Sequence, residues 1–380
     1  MIPGVLPLCP SVTPLERISP SSFQTSIECK LKGAWNANRA PTLLPESPNT
    51  RLGRVVHKVI ERIAQSPENS NFFERVWNEE LSEQEAQMRS RWFETHLVPL
   101  AKMCTNFELV KKRCHLECDN IALTQDRSTV RPGVGATERE KWLQSQDGKI
   151  GGRIDAISRR NGETTIIDYK TGVWFDSREA ASDGRLFPEN NAQQLRMYAA
   201  LFYLNEGIWP TSLELVALNR KVIRIPFTPE ECLSLLRQAR AILDDMNCAI
   251  RKGGNFLALQ QRLASPSEQS CKYCRYKPAC ESYWVSKETS PEKPWPLDFR
   301  GTIEELADVY GGSFLRLRLN STTNDFISIR GLNRKRHPAL NFDEDGELIV
   351  LGLVRSRSSD TYFNQGAFTT LYFVPYQQLN

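Results

Sequence analysis

No stretch of the chain approaches the roughly 20 consecutive apolar residues of a membrane helix, so no helical span is expected. A strong charge of one sign is missing too. The 49 Lys and Arg against 45 Asp and Glu leave +4, too mild to announce a nucleic-acid binder by electrostatics alone. There is no G-x-x-x-x-G-K-[ST] phosphate loop, which argues against a nucleotide-driven motor, and no internal repeat. The opening segment MIPGVLPLCPSVTPLERISP lacks a basic n-region and holds too many prolines for a signal-peptide core, which makes a reducing cytoplasm the expected compartment. Ten cysteines in such a compartment point to free thiols or metal ligands before disulfides.

What is present is ordinary for a soluble globular protein: 25 % charged and 40 % apolar residues, over 380 positions that suffice for a real core. Residues 1–50 are rich in Pro, Ser and Thr and read as a lead-in containing one short helix, SSFQTSIECKLKGAW. Leu52, Val55, Val56, Val59, Ile60 and Ile63 recur at helical spacing, so LGRVVHKVIERIAQ is an amphipathic helix. More helices are expected over 71–108, then a strand at 112–124, a hairpin, the helix NAQQLRMYAALFYL, the strand pair LELVALNR and KVIRIPF, and a helix over 229–251. The body so formed spans 51–285. SKETSPEKPWPLD, about 286–298, has linker composition, and 299–380 alternates as FLRLRLN, FISIRGL, ELIVLGLV and TTLYFVPY, a small β domain.

The chemistry concentrates in residues 151–172, GGRIDAISRRNGETTIIDYKTG. Two short apolar runs are joined by a turn, and each carries a carboxylate, Asp155 in the first and Asp168 in the second. Ile166, Asp168 and Lys170 are two apart and share a strand face. Each charge alone reads as a solvated surface residue. Together they describe a site: two carboxylates on adjacent strands suit a divalent cation such as Mg²⁺, and a lysine beside them can hold a water or stabilise charge on a phosphate. His57 sits at the edge of its helix's apolar stripe, one turn after Gly53, and a neutral imidazole is a common metal ligand. Gln194 and Tyr198, four apart, are neighbours on one helix face.

The order G-x-x-x-H, G-G-x-I-D, I-I-D-Y-K-T-G and Q-x-x-x-Y, spread over residues 19–284, resembles the RecB-like branch of the PD-(D/E)XK nucleases. The resemblance implies an α/β fold, a restriction-endonuclease-like mixed sheet flanked by helices. It implies Mg²⁺ or Mn²⁺ held by His57, Asp155, Asp168 and the Tyr169 carbonyl, with Lys170 serving the attacking water and Gln194 and Tyr198 holding DNA. The function it implies is a metal-dependent deoxyribonuclease, an exonuclease acting on single strands or DNA ends, in repair, recombination or anti-phage defence. A DNA-binding or scaffolding subunit of a helicase–nuclease or defence complex is the alternative. Ile154 stands where the family name has Pro, a common variation in this branch. The family often has an acid in the strand before the hairpin, a place Glu117 would fill if its segment is a strand.

A second signal is CKYCRYKPAC, which spaces Cys271, Cys274 and Cys280 as C-x2-C-x5-C with no histidine nearby. Three thiolates need a fourth ligand, and zinc is one candidate occupant. AddB-type subunits and CRISPR-adaptation exonucleases of the same branch hold a [4Fe–4S] cluster by one early and three late cysteines. SPSSFQTSIEC, ending at Cys29, is similar to their early segment. Tying Cys29 to the trio would close a loop of more than two hundred residues, a restriction worth roughly a few kcal/mol against the unfolded chain. Cys114, His115 and Cys118 suggest a weaker metal pattern, disfavoured because strand alternation would scatter them. In the β domain, Arg316, Arg318, Arg330, Arg334, Lys335 and Arg336 accompany Phe314 and Phe326. That combination suggests an OB-like barrel that binds single strands through phosphate attraction and stacking, with a charged protein-docking face as the competing reading.

Overall fold

The computed structural model describes residues 2–65, 71–130, 137–170, 189–217, 221–319, 325–342, 345–357, 359 and 361–376. Thr171 and Gly172, the end of the hairpin motif, lie outside them. Helices α1 (Pro20–Glu28) and α2 (Lys30–Ala37) precede α3 (Pro48–Gln65), α4 (Asn71–Arg89), α5 (Leu100–Met103) and α6 (Phe107–Val130). Strands β1 (Thr137–Gln144), β2 (Gly151–Arg160) and β3 (Glu163–Lys170) follow, then α7 (Glu189–Glu206), β4 (Ser212–Ala217) and β5 (Val222–Arg224). Next come α8 (Pro229–Arg251), α9 (Phe256–Leu263), α10 (Glu268–Lys272) and α11 (Glu281–Thr289), whose last turn occupies the start of the expected linker. The chain ends in β6 (Phe299–Val309), β7 (Gly312–Leu319), β8 (Phe326–Leu332), β9 (Gly346–Leu351), β10 (Val354–Arg355), β11 (Tyr362–Asn364) and β12 (Thr370–Pro375). Among the described residues, no helix is long and apolar enough to cross a membrane.

The first sheet has the order β1-β2-β3-β4-β5 and is mixed, since β3 and β4 run parallel while the other pairs are antiparallel. A parallel neighbour demands a crossover, and α7 supplies it. Its Ala192, Leu195, Tyr198, Ala199 and Phe202 are all buried in the main core, so this helix is enclosed rather than laid on the surface. The hairpin β2–β3 turns at Asn161-Gly162, both with positive φ (51° and 82°), the Asn-Gly pair whose twist matches the flanking strands. The expected apolar stripe of α3 packs with α4 and α6 in a second, wholly helical core.

Two expectations are corrected. Residues 112–124 lie within α6 and are not a strand. Cys114, Cys118 and Ile121 are buried at helical spacing, which a strand would divide between its two faces. The strand that precedes the hairpin is β1. The helix expected across SSFQTSIECKLKGAW is broken at Cys29, whose extended backbone (φ −159°, ψ 109°) ends α1 and starts α2.

The C-terminal β domain forms with seven strands in the order β10-β11-β8-β7-β6-β9-β12. Among the described residues that order has two ends. Ile349, Leu351, Tyr372 and Val374 belong to the main core, whereas Leu348, Val350, Leu371 and Phe373 face a separate one, so β9 and β12 divide their alternating faces between two cores. The N-terminal segment is held at both sheets: Leu6 donates to the Phe373 carbonyl and Ile18 to the Lys149 carbonyl.

Candidate active site

The antiparallel ladder of β2 and β3 runs from Arg160↔Glu163 to Ala156↔Ile167 and then stops. Continuing the register sets Asp155 across from Asp168. There a side chain replaces the ladder: the Tyr169 N–H donates to Asp155 Oδ2 at 2.8 Å. On the other flank, Arg139↔Ala156 and Lys141↔Ile154 bracket Glu140 and Asp155, and Glu140 has φ +52°. Three carboxylates thus occupy one row across three strands. Glu140 is the acid on the strand before the hairpin; Glu117 sits on α6 and accepts from Asn120. TEREKWLQ shows no apolar alternation, so the Asp147-Gly148 turn after it was the only local signal for β1.

Asp168 is 4 % exposed. Gln194 donates from Nε2 to Asp168 Oδ1 at 3.1 Å, and Lys170 donates to Gln194 Oε1 at 3.4 Å. The Lys170 ammonium lies 2.8 Å from Asp168 Oδ2, but out of line for a hydrogen bond, which leaves Oδ2 buried without one. Burial raises the Asp168 carboxyl from an ordinary 3.8 to about 6, with Lys170 opposing and Asp155 adding to the rise. Burial also raises Asp155, opposed by the Tyr169 N–H, Lys170 and Arg139. Glu140 is raised by burial, with Asp155 and Glu61 contributing.

A cleft opens over Asp155 and Glu140, lined also by His57, Glu61, Arg139 and Tyr169, while Asp168 and Lys170 are not among its lining residues. The His57 ring is accessible from it. The protein around the cleft withdraws the ring from bulk water enough to lower its proton affinity, a shift that Asp168 opposes, so the neutral, ligating form prevails at neutral pH. Glu61 was missed by sequence reasoning, although its spacing from His57 on α3 puts both on one face. A hard divalent cation fits the chemistry of this donor set, adjacent carboxylates with a neutral imidazole at the same cleft. Among the described residues, no three His, Cys, Asp or Glu side chains converge tightly enough to hold an ion as they stand, so the ligands would have to close on it.

Tyr198 is 3 % exposed, so its ring is not available to stack on a strand. Its hydroxyl donates to the Arg153 carbonyl at 2.7 Å and fixes β2 beside Asp155. Gly152 makes this possible: a Cβ there would fall 2.9 Å from the Tyr198 hydroxyl and 3.0 Å from Pro20 Cδ.

Cys29, Cys271, Cys274 and Cys280 line one small cavity together with Lys32, Trp35, Lys277 and Tyr283. Burial raises the thiols of Cys271, Cys274 (to about 11) and Cys280. Lys32 opposes the rise at Cys274 and Lys277 at Cys271. As at the cleft, among the described residues no three of these cysteine side chains converge tightly enough to hold an ion as they stand. Cys114 and Cys118 are buried in the helical core instead, and His115 stacks on Phe73 at 4.2 Å.

The C-terminal basic residues meet acids that their own run of sequence does not contain. Arg316 and Arg318 both pair with Glu304 of β6, and both lie over the Phe326 ring. Arg334 pairs with Asp308. Arg336 donates to the carbonyls of Ala367 and Thr369, and burial lowers its guanidinium to about 10. Lys335 is exposed. Arg316 and Arg318 share the one carboxylate of Glu304 and stay about half exposed, and Arg330 lies over the Tyr362 ring.

A model of the PD-(D/E)XK nuclease superfamily matches residues 17–281, a span that contains every residue of the cleft and all four cavity cysteines. Among solved structures, one described as the crystal structure of SSO0001 is similar at 16 % identity over 52 % of this chain and 96 % of that chain, with a TM-score of 0.23, too low a likeness to carry an argument. No curated protein matches the chain.

Proposed function

The chain belongs to the PD-(D/E)XK nuclease superfamily, and from that premise we propose that it is a Mg²⁺- or Mn²⁺-dependent deoxyribonuclease that works as an exonuclease on single strands or DNA ends. The observation that carries the reading is the Asp155–Asp168–Lys170 constellation, with one buried carboxylate oxygen lacking a hydrogen bond. His57, Asp155, Asp168 and the Tyr169 carbonyl would hold the cation, with Glu140 as a further carboxylate in the same row. When bound, the cation supplies Lewis acidity and lowers the proton affinity of water.

The chain's own groups do the rest. Lys170 is positioned to hold a water or to stabilise charge developing on a phosphate oxygen. Gln194 ties Lys170 to Asp168 through both ends of its amide, which fixes the ammonium against the carboxylate. Tyr198 acts as a positioning residue through the Arg153 carbonyl. Lys170→Ala should lower cleavage by roughly 10²-fold or more, the usual cost of removing one transition-state donor, with the fold retained. Full cleavage by that variant would remove the mechanism. End-labelled and circular substrates, single- and double-stranded, test the preference for ends.

We further propose a [4Fe–4S] cluster on Cys29, Cys271, Cys274 and Cys280, with zinc as the competing occupant. Support comes from the shared cavity of the four thiols and from two lysines at its wall, whose charge favours thiolate. Anaerobically purified protein should be coloured and contain iron with acid-labile sulfide, both lost in Cys29→Ser. Colourless protein containing zinc would decide for the other occupant.

A further inference from the structure

We propose that Trp142, with Arg17 and Arg153, forms a stacking subsite for an unpaired nucleotide of the DNA strand beside the cleft. The proposal rests on the nuclease reading above and names where the substrate strand lies. Trp142 is 44 % exposed, an expensive place for the largest apolar side chain unless something covers it. It stands on β1 two residues from Glu140, and its cross-strand partner is Arg153 of β2. The Arg17 guanidinium lies over its ring, 5.3 Å from the centroid, and the indole N–H is fixed by Gln144 Oε1 at 3.0 Å. Gly151 approaches the ring from the neighbouring strand, where a Cβ would come within 3.3 Å of its edge. The indole is therefore oriented by its neighbours while much of it stays in water.

The two arginines carry the phosphate side of the argument. Arg153 is 57 % exposed and reaches towards the cleft, 3.9 Å from Glu61 and 3.8 Å from Glu140. Arg17 touches Glu16 at 3.5 Å in an exposed pair, which solvent keeps weak. Two basic groups beside an exposed indole, Arg17 over the ring and Arg153 across the strand near the cleft, suit a strand whose base meets the indole and whose phosphates meet the guanidinium groups. The ligand class follows from the ring. A base inside a duplex has no free face to offer, whereas an unpaired base does.

The test is binding of a fluorescent oligo(dT) in EDTA, followed by anisotropy. Trp142→Ala should weaken binding roughly 5- to 100-fold, the worth of one base–aromatic stack. Trp142→Leu keeps apolar bulk on the strand, guards against a folding defect, and should lose a comparable share. Arg17→Ala should weaken binding and lower the slope of log affinity against log salt by about 1. Binding of a blunt duplex should change less than about twofold, since stacking on an unpaired base is what the variants remove. Unchanged oligo(dT) affinity in both Trp142 variants, or equal losses for duplex and single strand, would overturn the subsite. Cleavage of the same oligonucleotide by the natural protein in Mg²⁺, measured separately from binding in EDTA, separates this from the nuclease reading. A natural protein that cleaves DNA while its Trp142 variants bind normally would sink the subsite alone.

Discussion

Replacing Asp168 by Asn should stabilise the protein at neutral pH and abolish cleavage at the same time. The carboxyl is 4 % exposed and gives up its proton at about 6 instead of 3.8, chiefly because burial penalises its charged form. Each factor of ten in proton affinity is about 1.4 kcal/mol, so holding this group ionised at neutral pH costs roughly 3 kcal/mol relative to its neutral form. Asn is the neutral isostere, and it keeps an oxygen to receive the Gln194 amide. The sign is definite. A folded-state value above the unfolded one means that the folded chain binds the extra proton, so the contribution is fully favourable below about 3.8 and is lost as pH rises through about 6. Urea unfolding in EDTA should give the variant an advantage of roughly 1–3 kcal/mol near pH 7.5, shrinking towards zero near pH 4. Mn²⁺ should then stabilise the natural protein but not the variant. Equal destabilisation of the variant at both pH values would refute the reasoning, because Lys170 and Asp168 would then be an ordinary stabilising ion pair.

Three more outcomes follow. Asp298 is fully buried, receives Lys277 Nζ at 2.5 Å and the Tyr283 hydroxyl at 2.7 Å, and takes the Gly352 N–H at 2.8 Å. Asp298→Ala should cost about 3–5 kcal/mol by stranding the buried ammonium, and adding Lys277→Met should return part of that loss in urea titrations. Gly152→Ala should cost about 1–3 kcal/mol by overpacking and should depress cleavage by displacing the Tyr198 hydroxyl, read by comparing the variant's unfolding midpoint with its rate. His337 is buried neutral, its imidazole pushed from 6.5 to about 4. Its contribution is complete above about 6.5 and is lost as pH falls towards 4, so His337→Gln should flatten the acid limb of a stability–pH profile.

How far the sequence could be read depended on the range of each signal. The α3 stripe and the β2–β3 hairpin are local, periodic and bounded by a turn of known chemistry, and both appear as expected. A mixed sheet flanked by helices also forms, because the parallel pair β3 and β4 follows from the helix between them. The 112–124 segment is helical because Cys114, Cys118 and Ile121 share one face only at helical spacing; the interval of three from 118 to 121 would place them on opposite faces of a strand. In the β domain, two partners of the basic run, Glu304 and Asp308, come from the neighbouring strand β6, and such pairing across strands is invisible along one of them. Glu140 escaped because the register that sets it against Asp155 exists only once β1 has paired with β2.

The departures from local regularity share a place, and that bears on why the site is built there. Glu140 holds a left-handed backbone that costs a non-glycine residue about 1–3 kcal/mol. The β2–β3 ladder opens one row away, where Asp155 satisfies the Tyr169 N–H with a side chain instead of a carbonyl. Asp168 keeps a buried oxygen without a hydrogen bond, and Gly152 gives up its side chain so that Tyr198 can approach. None of these helps the sheet fold. Fully buried neighbours, Ile157 against Ile166 in β2–β3 and Leu215 across from Asp168 in β4, hold the strands rigid on either side, so the irregular row is over-determined by regular ones. The regular rows hold Glu140, Asp155 and Asp168 side by side, with the Lys170 ammonium 2.8 Å from one of them, so the local irregularities are concentrated where the proposed chemistry would take place.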